Sequence, residues 1–311
     1  MYTQHFKLTR RPFELSPDPQ FLYRTPFHNE ALASIYYAIK HRKGFAAVTG
    51  EVGTGKTLLL KCVLALLSPD RYASAFVFNP RLSTLDFLQY IVGDFGLSCG
   101  ATKGQILQEL NRFLIASLAQ GVTCVLVIDE AQHLDEQLLE EIRLLTNLES
   151  PREKLLQIVL AGQPELETKL DSPSLRQLKQ RIALRCRLRP LDENATRGYI
   201  RRRLQIAGAT EEAAATILPV ETVTAVYHHS RGIPRLINTI CDNALIAAFG
   251  KNLAFVPPEI VHEVAADFRL NAVAPAKPEN PPSAGTDRSI ALLVRLLEAL
   301  NHKLADAAAR K

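Results

Sequence analysis

The chain has 311 residues, 47% hydrophobic and 22% charged, with a net charge of +5. That balance fits one large or two modest globular domains and excludes a disordered chain, while the mild positive charge neither requires nor forbids nucleic acid or an anionic membrane surface. No run approaches 18 apolar residues, the opening MYTQHFKLTRRPFEL lacks a signal-peptide core, and the five cysteines show no C-x-x-C or metal-ligand spacing, so neither a membrane span, a secretory leader nor a zinc site is expected and the thiols are read as reduced, in the cytosol.

Residues 1–30 read as irregular, because Pro12, Pro17, Pro19 and Pro26 interrupt any long helix. From His28 to Arg42, Leu32, Ile35, Tyr36 and Ile39 fall at helical spacing. Strands are predicted at 45–49, 74–78, 123–128, 156–161 and 182–188, with helical periods between them. This alternation implies an α/β fold with a central five-stranded parallel sheet flanked by helices. After Pro190 the strands stop, and helices are predicted at about 193–207, 220–230, 234–249 and 257–269. The expected organisation is an α/β nucleotide-binding domain over 1–191, with 1–30 as its leader, then a helical lid domain over 192–270. A Pro-rich linker over 271–286 precedes an amphipathic helix within 287–311. That helix spaces Ile290, Leu293, Leu297, Leu300 and Leu304 as a short heptad seam, either docked on the core or offered to a partner.

The densest chemical signal is TGEVGTGKTLLLK, Thr49 to Lys61. Gly50, Gly55, Lys56 and Thr57 match G-x-x-x-x-G-K-[ST] between a predicted strand and an apolar helix. In such a loop the main-chain N–H groups turn inward around phosphate, and the following helix offers its N-terminus to the same anion. The expected cradle runs Gly50, Glu51, Val52, Gly53, Thr54, Gly55, Lys56, Thr57, Leu58. Lys56 supplies charge to the β- and γ-phosphates of ATP, and the Thr57 hydroxyl ligates Mg²⁺.

A second signal is CVLVIDEAQ, starting at Cys124. Val125 to Ile128 are apolar, as a strand buried on both faces should be. Asp129 and Glu130 follow at its carboxyl end, where ligands bind in open α/β sheets. Asp129 is assigned to Mg²⁺ and Glu130 to polarising the water that attacks the γ-phosphate. An acidic pair alone can simply end a strand; the P-loop upstream decides for function.

Together these stretches resemble a known family. The leader, GFAAVTGEVGTGKT, VIDEAQ, LLTNLE, QIVLAGQPEL, LRQLKQRI, LRPL and GIPRLINTICDNAL occur in the order found in AAA+ ATPases of the general secretion pathway protein A (ExeA) type, which include pilus-biogenesis ATPases of the MshM kind. The resemblance covers residues 1–270. Where the secretion member continues into a membrane span and a peptidoglycan-binding region, this sequence reads as linker and amphipathic helix.

The resemblance implies a Mg²⁺-dependent ATPase that assembles head-to-tail into an ATP-promoted ring and supports assembly of a secretion or type IV pilus apparatus. It places the protein in the cytoplasm, at the inner membrane through a membrane-protein partner of the C-terminal helix. It puts Gln163 at the sensor-1 position and Arg235 at the sensor-2 position, and offers Arg176 or Arg181 as the arginine projected into a neighbour's site, with Arg181 preferred. The alternative is a DNA-associated AAA+ regulator of transposition. RIALRCRLR bears on it: Arg185, Arg187 and Arg189 share one strand face, which suits either a phosphate backbone or a solvated sheet edge, and the edge is preferred.

Overall fold

The computed structural model describes residues 2–270 apart from 99 and 152. The expected linker and C-terminal helix lie outside the described residues. The described chain forms two compact units, one of residues 26–51 and 56–188, the other of residues 2–25, 52–55 and 189–270.

The first unit is the α/β layer. In chain order it holds α2 (Pro26–Lys40), β1 (Phe45–Gly50), α3 (Lys56–Leu66), β2 (Tyr72–Val77), α4 (Thr84–Asp94), α5 (Lys103–Ala119), β3 (Thr123–Ile128), α6 (Glu136–Leu145), β4 (Leu156–Gly162), α7 (Pro164–Leu170), α8 (Arg176–Arg181) and β5 (Leu184–Leu188), the helix α1 (Tyr2–His5) preceding them in the other unit. The strands pair in parallel in the order β2-β3-β4-β1-β5. Every residue of β1, β3 and β4 is buried, and all but Thr49, Thr123 and Gln157 are apolar or glycine, as a sheet covered on both faces demands. The outer strands β2 and β5 alternate instead. Arg185 and Arg187 are exposed on β5, so the arginine face lies on an edge strand, where charge discourages mispairing. The other edge has Phe76 N–H donated to the Asp94 carboxylate at 2.6 Å.

The second unit holds α1 and then α9 (Glu193–Ile206), α10 (Glu211–Ile217), α11 (Val220–Ser230), α12 (Pro234–Gly250) and α13 (Pro258–Asp267). Side-chain caps start α9 and α10: Asp192 accepts from Ala195 N–H and Thr210 from Ala213 N–H. The short α10 was not expected. Its GATEEAAATIL stretch gives Ala214, Ile217 and Leu218 to the core, a single helical step at the end of a short segment and too brief to stand out in the sequence.

The leader corrects the expected domain plan. Residues 2–25 belong to the helical unit, not the α/β layer. Tyr2 donates its hydroxyl to Asp242 at 2.6 Å, and Thr9 N–H bonds the Ala207 carbonyl at 2.8 Å. Arg203 is 5% exposed. It donates to the Pro12 and Glu14 carbonyls at 2.9 and 3.2 Å and lies over the Phe21 and Tyr199 rings at 4.5 and 5.1 Å. A buried cation solvated by leader carbonyls and aromatic faces fastens the leader to α9.

Two glycines give opposite expectations. Gly232 has φ +72°, and a Cβ there would stand 1.8 Å from the Leu191 carbonyl oxygen, whose residue donates its N–H back to Gly232 O at 2.9 Å. Gly104, inside α5, would place its Cβ in open space. Gly232→Ala should destabilise by more than about 2 kcal/mol, whereas Gly104→Ala should stabilise by about 0.5–1 kcal/mol. Urea denaturation of the two variants measures both signs.

Candidate functional site

The P-loop leaves β1 and enters α3. Gly53 and Gly55 have φ of +82° and +98°, a backbone that residues with a Cβ rarely adopt. Lys56 opens α3 and is 6% exposed. Its ammonium donates to the Gly50 and Glu51 carbonyls at 2.7 and 3.0 Å. Burial holds its pKa below the ordinary lysine value, against the pull of Glu130, Asp129, Glu51 and Glu165. A desolvated cation in a glycine-rich turn is a site built for an anion.

Thr57, one residue on, donates its hydroxyl to Asp129 Oδ2 at 2.5 Å. Asp129 ends β3 and is 3% exposed. Burial raises its pKa, offset in part by the hydrogen bonds from Thr57 and from the Glu130 N–H, the latter at 2.9 Å to Oδ1. Two hard oxygen donors, a hydroxyl and a carboxylate, thus stand together beside the buried lysine. This pair suits Mg²⁺, which takes one or two protein oxygens and fills its octahedron with water and phosphate.

Glu130 stands in the left-handed region with φ 51° and ψ 36°. Its Oε2 accepts from Gln132 Nε2 at 2.5 Å and from Gln163 Nε2 at 3.3 Å. Burial works to raise its pKa, but those two amides, with the charges of Lys56 and His133, outweigh it and hold the carboxyl below the usual glutamate value. Gln163 follows β4, which lies between β3 and β1, and it starts α7 without capping it by its side chain. Its amide is directed at Glu130 instead.

The remaining predicted residues divide. In the helical unit, Arg235 opens α12 with its N–H donated to the Gly53 carbonyl at 3.2 Å, and a Cβ on Gly53 would meet Arg235 Cβ at 2.6 Å. Arg181 is not free: its guanidinium donates to Thr146 Oγ1 and Asn147 Oδ1, both at 2.5 Å. Arg176 is exposed and lines an open cavity of about 630 Å³ with Asp171, Ser172, Pro173, Lys179, Gln180 and Arg185. Gln132 escaped the sequence reading. Its signal was in view as the last letter of VIDEAQ, but nothing local says that its side chain turns back to the glutamate two residues earlier.

Residues 39–170 match the AAA domain family. The chain is 46% identical over 253 residues to general secretion pathway protein A of Aeromonas hydrophila, across 81% of this chain and 45% of that protein. It therefore spans less than half the length of that relative. Among solved structures, the Aeropyrum pernix ORC2 protein in ADPNP–ADP complexes is similar with a TM-score of 0.63 at 17% identity, covering 85% of this chain and 75% of that one. Domain III of the Thermotoga maritima replication initiation protein DnaA gives 0.53 at 20% identity, covering 83% and 98%. At these identities the two structures share the fold.

The Thr57–Asp129 contact predicts its own stability effect. Thr57→Val keeps the shape but leaves Asp129 Oδ2 buried without that donor. The variant should lose about 1–3 kcal/mol, and Thr57→Ser should recover most of it; chemical denaturation of the ligand-free protein checks both.

Proposed function

We propose that this chain, which belongs with the AAA+ ATPases of the general secretion pathway protein A type, binds ATP with Mg²⁺ and hydrolyses its β–γ phosphoanhydride. The observation that carries this reading is the Thr57 hydroxyl on Asp129 at 2.5 Å, with Lys56 buried beside it and Glu130 next in sequence. The Gly50–Leu58 loop and the α3 N-terminus receive the triphosphate, and Lys56 is its counter-charge. Thr57 and Asp129 would hold Mg²⁺, which would supply positive charge to offset the charge of the triphosphate. Glu130 takes a proton from the attacking water, and Gln163 orients that water and the carboxylate. On the resemblance, Arg235 is proposed as the sensor-2 arginine.

The protein is proposed to work as a head-to-tail ring, in which one copy supplies an arginine to the next. Arg181 is occupied by Thr146 and Asn147, whereas Arg176 is exposed and engages no side chain among the described residues. Arg176 is therefore the better candidate for the neighbour's site, with Arg181 holding the α6 end against α8. The similarity to general secretion pathway protein A supports work in a secretion pathway; a type IV pilus apparatus as the client, a cytoplasmic location and a membrane-protein partner at the inner membrane are proposed with it. Among the described residues no helix is long and apolar enough to cross a membrane.

Lys56→Ala should lose ATP binding, since the triphosphate loses its main counter-charge; a fluorescent ATP analogue measures this, and an unchanged affinity removes the P-loop assignment. Glu130→Gln should bind ATP normally and lose about 10²–10⁴ in turnover. Arg176→Ala should bind ATP and hydrolyse it poorly, an arginine finger contributing about 10³–10⁵ in rate. Mixing Arg176→Ala with Lys56→Ala chains should then recover activity, because some interfaces of a mixed ring are whole. Intact rings with no recovery on mixing would return the trans role to Arg181 or to neither.

A further inference from the structure

Glu130 is pinned on one oxygen only. Both amide donors, from Gln132 and Gln163, converge on Oε2. Among the described residues no hydrogen bond reaches Oε1. A carboxylate held this way has one oxygen fixed and the other open to water.

The orientation of the Gln132 amide is settled by its neighbours. Its Oε1 accepts the main-chain N–H of Gln163 at 3.0 Å, and a main-chain N–H can only donate. The other end of the amide must then be Nε2, which can only donate, and it faces Glu130. A flipped amide would set oxygen against carboxylate and NH₂ against N–H. The side chain therefore has a single satisfied state.

Its backbone is held as well. Lys169, on α7, donates its ammonium to the Gln132 and Leu134 carbonyls at 2.8 and 2.5 Å. Those carbonyls belong to the short turn that follows Glu130, and α7 is the helix that Gln163 starts. The contacts close a loop: Glu130 to Gln132, Gln132 to Gln163, Gln163 through α7 to Lys169, and Lys169 back to the main chain of Gln132. Glu130 itself has φ 51°, a conformation that is unfavourable for a residue with a Cβ.

We infer that Gln132 is the positioning residue of this site, a two-ended amide clamp that fixes the rotamer of Glu130 through Oε2 and so leaves Oε1 as the oxygen that meets the attacking water. Lys169 anchors the clamp from α7. The inference rests on Glu130 being the general base. Its effect is geometric: Gln132 touches no reacting atom, so its loss misaligns the base without weakening the hold on ATP. A misplacement of about 1 Å in such a group can cost about 10²-fold in rate.

The experiment uses the full chain. Gln132→Met keeps the length and volume of the side chain and removes both hydrogen bonds. Expected are a fall in kcat of about 10²-fold, with KM, affinity for a fluorescent ATP analogue and Tm unchanged, the pattern of an interaction used in the transition state. Wild-type kcat in Gln132→Met overturns the inference. If that variant melts lower, kcat is measured well below its Tm, where it is fully folded: a loss of about 10²-fold with ATP affinity unchanged supports the clamp, and wild-type turnover overturns it. Glu130→Gln measured alongside separates the two levels. If Glu130→Gln turns over normally, the base assignment falls and the clamp with it. If Glu130→Gln is inactive and Gln132→Met is not, only the clamp falls.

Discussion

The hydrogen bond from Thr57 to Asp129 is the contact on which the rest of the α/β layer converges. It joins the first turn of α3 to the end of β3, two elements 72 residues apart in sequence. Parallel pairing through β4 sets the relative height of the strands that carry it: Ala47 of β1 and Ile128 of β3 both lie opposite Leu160, so β1 runs on past the end of β3 to Gly50 before its loop returns Thr57 to Asp129. With strands about 4.8 Å apart, one intervening strand sets β1 and β3 about 10 Å apart. The loop and the first turn of α3 cross that gap. The mostly apolar character of β1, β3 and β4 is thus a condition of that contact, since it is burial on both faces that fixes these three strands side by side.

Around this contact three individually unfavourable features are gathered. Lys56 is a buried cation, Asp129 a desolvated carboxylate, and Glu130 a left-handed residue that is not glycine. Each is met by a specific partner: loop carbonyls, the Thr57 hydroxyl, and the two glutamine amides. Such concentration of local cost is what distinguishes a preorganised site from packing, where side chains sit in ordinary states. The remainder of the layer, with its fully buried leucines, isoleucines and valines, has the ordinary apolar character that supports these exceptions.

What could be read from the sequence was what is local. Glycine spacing, the apolar run before Asp129 and the turn after Pro190 each declare themselves within a dozen residues, and the strands and most helices fell within a few residues of their observed ends. What escaped depends on contacts between distant segments. Nothing around Arg203 says that it is buried under Pro12, 191 residues away, so the leader was placed with the wrong unit. Arg181 looked free because Thr146 and Asn147 lie 35 and 34 residues before it. Gln132 sits within the quoted motif, yet its task depends on Gln163, 31 residues on, which supplies the N–H that orients its amide. Period and motif show which side chains are available; pairing between segments determines which are used.

The helical unit sharpens the meaning of one motif glycine. The unit is discontinuous in sequence, its leader at residues 2–25 and its helices from 189 onward, with residues 52–55 of the P-loop clustered alongside them. Gly53 is the reason for that clustering. Its carbonyl accepts the Arg235 N–H at 3.2 Å, and its missing side chain leaves room for Arg235 Cβ and Ile233 Cγ2. A P-loop tolerates many residues at this third variable position, so phosphate binding alone does not require glycine here. Two demands do: a φ of +82°, and the approach of α12 to within 2.6 Å of where a Cβ would stand. The second ties the loop directly to the segment that carries Arg235, so the glycine that looks like part of an anion cradle in the sequence is, in the fold, also the seat of α12.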